Sequence, residues 1–246
     1  TLVATGAGDD TITIDDLTAD VAANATITGG SGADTLYIDG VTGATVQFAM
    51  TGVETVKLGD MDAAMTFSAA KSSGITGINM TGDADEAATF AGLGTAAITY
   101  TIAGAATTGS ITADGSGSAT VNVKATLTDI LDETYGDTAD AALTLSAASS
   151  LNMTVDKYAT YDGTVTATKA TSVSLTVNGV FTGNIAAAAA TSATITAGTK
   201  DIELDLDAAK LTTLNATASG QFDTTGSTFT KLETINLTAT KDITFG

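Results

Sequence analysis

Apolar and hydroxyl-bearing residues alternate along most of this chain, and the alternation itself recurs. "KATSVSLT" from Lys169, "AATSATIT" from Ala189, "KLTTLNAT" from Lys210 and "KLETINLT" from Lys231 start 20, 21 and 21 residues apart, and "AASSLNMT" from Ala147 fits one step earlier at 22. In this alignment the fifth position holds Leu151, Val173, Ala193, Leu214 and Ile235, the seventh Met153, Leu175, Ile195, Ala216 and Leu237, and the eighth is Thr each time. Alternation of period two marks a half-buried strand. Thr and Val suit that state because a branched β-carbon fits the pleat.

The same register extends through the first half. Its fifth position holds Ile12, Leu36, Val56, Ile78, Ile98 and Val121, its seventh Ile14, Ile38, Leu58, Met80, Tyr100 and Val123, and the spacings run from 20 to 24. Only the step from Val121 to Leu151 is longer, at 30, and it contains "TDILDETYGDTAD". Residues 126–141 are therefore expected to form an inserted acidic loop. Other short runs lie between these strands, such as "TVQFA" near Phe48, "MTFSA" near Phe67 and "IELDLD" near Leu204, so each repeat supplies at least two strands.

A unit of about 21 residues cannot bury its own apolar face, and stacking neighbours solves that. The pattern predicts an all-β fold, a parallel right-handed β-solenoid of roughly 11 coils, at about 4.8 Å per coil and ~50 Å long. Residues 1–246 are expected to form one such solenoid, a fragment of a larger protein. An antiparallel sandwich is the alternative arrangement of strands every ~10 residues, but it gives no reason for an in-register repeat.

Two turns carry candidate chemistry. Residues 6–12, "GAGDDTI", and 30–36, "GSGADTL", both read G-x-G-x-D-x-apolar, the calcium nonapeptide pattern. In the solenoid register Asp10 and Asp34 fall at one position of consecutive coils, so their carboxylates stack, and Glu54 takes that position in the next coil. Thr76, Ala96 and Ala119 are expected to follow, which ends the ladder. Gly6, Gly8, Gly30 and Gly32 allow backbone angles closed to other residues and turn carbonyls toward an ion. Asp9 and Asp60, in "GDD" and "GDMD", add further carboxylates. Ca²⁺ takes six to eight oxygens, which stacked turns of this kind supply. Three other acidic groups can collect oxygens: Asp83, Asp85 and Glu86; Asp129, Asp132, Glu133 and Asp137 in the insertion; and Asp201, Glu203, Asp205 and Asp207, of which the last three alternate onto one exposed face.

Composition narrows the partners. The net charge is −19, with 28 acidic residues against nine lysines and no Arg, which excludes the basic patches that nucleic acid and anionic membranes require. No apolar run reaches the 18 residues of a membrane span. The charge favours a cation, and an acidic chain opposes its own compaction until counter-ions bind. Extracellular calcium modules work at about 0.1–1 mM Ca²⁺. Without His, Cys or Arg, the common nucleophile–base pairs and arginine clamps are missing, so no enzyme is expected.

"GAGDDTITID", "GGSGADTLYIDG" and "TGVETVKLGD" in succession, with "KLETINLTAT" later, resemble the RTX-type surface-layer proteins of Gram-negative bacteria. The resemblance covers the whole chain in rhythm but only residues 6–62 and 231–240 in motif. It implies calcium as the bound ion and Gly6, Gly8, Asp10, Gly30, Gly32 and Asp34 as turn residues that hold it. It implies type I export to the cell surface, folding there with calcium, and copies of the chain in a two-dimensional lattice. Anchoring to lipopolysaccharide is expected through a domain not present in this sequence. The function expected is a calcium-stabilised structural building block of a surface layer. The alternative is an RTX adhesin or other surface-binding module. The Thr triplets "TIT" are similar to the ladders of ice-binding solenoids, but spacings wandering from 20 to 24 argue against a flat, regular row.

Overall fold

The computed structural model describes residues 2–16, 21–43, 45–81, 85–103, 109–125, 131–132, 135 and 138–245. It is an all-β parallel solenoid, and helical residues are confined to 131–132 among those described. No helix there is long and apolar enough to cross a membrane.

One sheet of eleven strands runs the length of the tube, from Thr11–Ile14 through Thr35–Ile38, Thr55–Leu58 and Gly77–Met80 to Thr213–Ala218 and Thr234–Ala239. A second sheet of ten strands faces it, from Leu2–Ala4 to Asp205–Asp207. Every pairing is parallel to the strand one coil away, as a solenoid requires. In Ser172–Val177, for example, Val173, Leu175 and Val177 are buried, and Ser172, Ser174 and Thr176 lie outward. The inward rows stack into one continuous core in which Phe48, Phe67 and Phe90 follow one another at ring separations of 6.5 and 5.5 Å.

The second half gains a third face. Six short strands, Thr138–Ala139, Thr160–Tyr161, Val180–Phe181, Ile202–Glu203, Phe222–Thr224 and Ile243–Phe245, form their own sheet. The signal in the sequence is a column of large residues, Tyr161, Phe181, Ile202, Phe222 and Ile243, one per coil. The last residues of the expected 126–141 loop are thus strand, with Ala139 buried opposite Tyr161. At the corners Leu145, Ala167, Ala187 and Ala208 each accept a turn hydrogen bond from the residue three further on. Ala148, Ala170, Ala190 and Leu211 fill those corners and are buried, which accounts for much of the alanine in "IAAAAA".

The register differs from the sequence alignment by two residues at three successive steps, between Ile78 and Met153. Ile12, Leu36, Val56 and Ile78 are partners as expected, but Ile78 pairs with Tyr100 rather than Ile98. Tyr100 leads to Val121, and Val121 pairs with Met153 rather than Leu151. The column then continues through Leu175, Ile195, Ala216 and Leu237. A slip of two residues leaves the same side chains inward, because the period is two. The alternation alone is blind to it. The varying coil lengths leave this sheet intact, since the extra residues sit in corners and in the other faces. The outward column Thr154, Thr176, Thr196, Thr217 and Thr238 is continuous over the last five coils, but toward the N-terminal end the same column holds Asn122, Thr101, Asn79, Lys57 and Tyr37.

Candidate metal centre at the N-terminal turns

In the second and third coils the turn glycines are forced by contact with a neighbouring coil, whereas a β-carbon on Gly6 or Gly8 would meet open space. Gly8, Gly30, Gly32 and Gly52 have φ of 121°, 107°, 141° and 62°, a region that side-chain-bearing residues avoid. A β-carbon on Gly30 would collide with the Gly6 carbonyl oxygen, and one on Gly32 with that of Gly8. The turns are also paired directly: Gly8 N–H donates to Ser31 O at 2.8 Å, and Ser31 N–H to Gly6 O at 3.3 Å. Gly52, which the motif did not single out, continues the Gly6–Gly30 column, and its β-carbon would meet Gly30 O at 2.7 Å.

The carboxylates then form the expected ladder. Asp10 N–H donates to Asp34 Oδ1 at 2.9 Å, and Asp34 N–H donates to Glu54 Oε2 at 2.9 Å. Asp9 belongs to the same turn but points outward, its Oδ1 accepting from Ala33 N–H at 2.8 Å. The next backbone step runs from Glu54 to Thr76 and then to Thr99, so Ile98 takes the place expected for Ala96. Asp60 is not part of this ladder. It lies beyond the far end of Thr55–Leu58, where its N–H donates to Asp39 Oδ1 at 2.7 Å.

A carboxylate that accepts a backbone N–H across a coil boundary is a general device of this fold. Asp114 takes the N–H groups of Gly92 and Leu93 at 2.7 and 3.0 Å, and Asp201 that of Gln221 at 2.8 Å. Turn pairing therefore accounts for one oxygen of Asp9, Asp34, Glu54 and Asp201, and for both of Asp114. It does not account for Asp34 Oδ2. Asp34 is fully buried, and this oxygen has no hydrogen-bond partner. It lies beside Gly29, where a β-carbon would sit 2.5 Å from it and closer still to the Gly52 carbonyl oxygen. A buried anionic oxygen and a carbonyl oxygen thus converge on space that only glycine leaves open.

No family model, curated protein or solved structure matches the chain. The reading of this site therefore rests on its own chemistry.

That donor set, all oxygen and partly anionic, fits a hard cation such as Ca²⁺. Among the described residues no group of three or more Asp or Glu side chains converges, so carbonyl oxygens from Gly52 and the neighbouring turns must complete such a shell. A bound ion would supply the positive charge that the interior of these turns lacks.

The other acidic groups are placed differently. Asp83, Asp129, Glu133 and Asp137 lie outside the described residues; Asp85, Glu86 and Asp132 are exposed. Glu203, Asp205 and Asp207 do not share one face. Glu203 ends a strand of the six-stranded sheet and Asp205 begins one of the ten-stranded sheet, with buried Leu204 at the corner. Asp205 borders a groove of about 380 Å³ with Asp162 and Glu203, and its Oδ1 is shielded without a partner.

Proposed function

We propose that this chain is a structural β-solenoid whose N-terminal turns are closed by calcium, and that it serves as a building block of a bacterial surface layer. One observation carries the calcium part: the fully buried Asp34 carboxylate keeps an oxygen without a hydrogen-bond partner beside the Gly52 carbonyl. An uncompensated buried carboxylate oxygen is expensive, and a cation is its natural partner in a chain of net charge −19. The groups that would hold the ion are the Asp34 carboxylate and the Gly52 carbonyl beside it, with further carbonyl oxygens of the neighbouring turns and at most one more carboxylate of the ladder, Asp10 or Glu54. Asp9 and Asp60 stand outside this set because their side chains serve other turns or none of these.

The lattice part rests on the resemblance and on the shape of the molecule. Two long sheets run along the tube, and no strand of the eleven-stranded one contains an acidic residue. Copies of an acidic chain can approach each other across such faces without direct repulsion. A cell-surface binding module is the second reading. The run of five stacked threonines in the last coils favours it, since a row of hydroxyls at one spacing suits an extended rigid ligand.

The test is a calcium titration of chelator-treated protein at fixed ionic strength, with circular dichroism and light scattering recorded together. Gain of ordered β signal near 0.1–1 mM Ca²⁺, with growth of particles, is the expected result. A calcium-bound protein that stays monomeric refutes the lattice and leaves the binding module. A protein indifferent to calcium in both signals refutes the cation site.

A further inference from the structure

We infer that the lysine-bearing edge of one copy docks on the acidic margin of the six-stranded sheet of a second copy, so that solenoids line up side by side. In the second half each coil turns through three strands, and the corner between the ten- and eleven-stranded sheets lies opposite the six-stranded sheet. That corner recurs at residues 145–149, 167–171, 187–191 and 208–212. It holds Lys169 and Lys210 and no acidic residue, in a chain of net charge −19. Lys231 continues the row, because Glu233 N–H donates to Thr212 O as Thr212 N–H does to Thr191 O and Thr191 N–H to Thr171 O. All three lysines are exposed, and none pairs with a carboxylate among the described residues.

The opposite side carries the reverse charge. Tyr161 pairs with Phe181, Phe181 with Ile202 and Glu203 with Asp223, which sets Asp162, Thr182, Glu203 and Asp223 in one outward column. Thr182 is bound into it, its hydroxyl donating to Asp162 Oδ1 at 3.0 Å. Glu203 and Asp223 lie directly opposite each other on neighbouring strands, a pairing of like charges that costs stability unless a cation faces them. Asp162, Glu203 and Asp205 border the groove of about 380 Å³ in which Asp205 Oδ1 is shielded without a partner. Lys200 and Lys241 stand at the other margin of this sheet, the first against the Tyr135 ring and the second 3.9 Å from Asp201.

The two rows match coil by coil. Lys169 follows Asp162 in the same coil, Ala189 follows Thr182, Lys210 follows Glu203 and Lys231 follows Asp223. Each row therefore reads charged, neutral, charged, charged along the tube, at one step of about 4.8 Å per coil. A copy shifted sideways, without rotation or movement along the axis, sets every lysine of the row against a carboxylate and Ala189 against Thr182. Such a contact is head-to-tail and repeats without closing, so it builds a row, as one direction of a lattice requires. Its span of ~15 Å along the tube makes a single contact weak and leaves the row to be held by repetition. The contact rests on the surface-layer reading and is separate from the calcium site.

The test is sedimentation velocity of the whole chain at about 1 mM Ca²⁺, comparing the parent with two triple variants. One is Lys169→Glu, Lys210→Glu, Lys231→Glu; the other is Asp162→Lys, Glu203→Lys, Asp223→Lys; circular dichroism checks the fold of both. Three exposed ion pairs are worth on the order of tenfold to a hundredfold in association. The parent should form larger species at about 0.01 M salt and lose that factor at about 1 M, where the screening length has fallen from about 30 to 3 Å. Each variant alone should lose association by the same factor. An equimolar mixture should regain it, because the glutamate edge of one variant meets the lysine margin of the other. Net repulsion predicts the opposite for the second variant, which is less acidic overall than the parent and would associate more. Variants that associate like the parent, or a mixture that stays apart, overturn this contact and leave the surface-layer reading standing. A parent that stays monomeric at every salt concentration overturns the surface-layer reading and this contact with it. Should the second variant unfold, Asp162→Asn, Glu203→Gln, Asp223→Asn takes its place, and association equal to the parent's overturns the contact.

Discussion

Asp34→Asn separates a cation site from a plain turn, because its stabilising effect in chelator is offset once calcium binds the parent. Asparagine keeps an oxygen to accept Asp10 N–H and replaces the unpartnered Oδ2 with an amide that can donate toward the Gly52 carbonyl. Without calcium the variant sheds a buried anionic oxygen that no donor satisfies, a gain of about 1–3 kcal/mol. For a chain of this size each kcal/mol moves the midpoint about 2–4 °C, so the variant should melt about 3–10 °C above the parent in chelator. With 10 mM Ca²⁺ and a Kd of about 0.1–1 mM, the parent gains RT ln(1 + [Ca]/Kd), about 1.4–2.7 kcal/mol, and recovers a similar interval. The variant gains little. Melting followed by circular dichroism in both buffers reads the four values. Parallel rises for both proteins would place the ion elsewhere. A variant that melts below the parent in chelator would mean that Oδ2 is satisfied after all, and the reasoning from the unpartnered oxygen fails.

Further outcomes follow from the packing. Gly30→Ala sets a β-carbon against the Gly6 carbonyl at φ 107° and should cost about 2–4 kcal/mol in urea melts; a loss under 0.5 kcal/mol would mean that the turns are not closely stacked. Ala190→Leu overfills a corner between Ala170 and Leu211 and should cost about 1–3 kcal/mol, while the neighbouring Leu211→Ala opens a cavity at about 2–5 kcal/mol. Burial raises the phenols of Tyr100 and Tyr161 well above the ordinary tyrosine range, with Asp114 and Asp140 adding to it. The unfolded chain therefore loses these protons first. The contribution is complete below about pH 10 and declines as pH rises beyond it, by about 1.4 kcal/mol per pH unit for each tyrosine. Alkaline unfolding should be less steep in the Tyr100→Phe, Tyr161→Phe double variant, and an unchanged slope would show that neither phenol titrates with unfolding.

Much of the fold was legible because a solenoid writes its geometry into local spacing. Inward columns such as Val173–Ala193–Leu214 and the recurrent Thr are readable from one repeat to the next, and Asp10, Asp34 and Glu54 do stack. The two-residue slips on either side of Tyr100 and before Met153 were hidden, since period-two alternation looks the same before and after each. The third sheet was hidden for a different reason. Strands of two residues, such as Thr160–Tyr161, are too short to show a period, although their aromatic column was present. Asp60 was misplaced because an acidic residue six positions after Glu54 lies across a whole strand from it.

The sequence by itself determined the all-β class, the repeat and the glycine–aspartate turns, because each of these is a property of residues near one another in the chain. The tertiary structure decided which carboxylate matters. Asp9, Asp10, Asp34 and Glu54 look alike in sequence, yet among them only Asp34 is fully buried, and only it is left with a buried oxygen that no backbone donor reaches. Burial and convergence depend on neighbours one coil away, and those are fixed only when the coils stack.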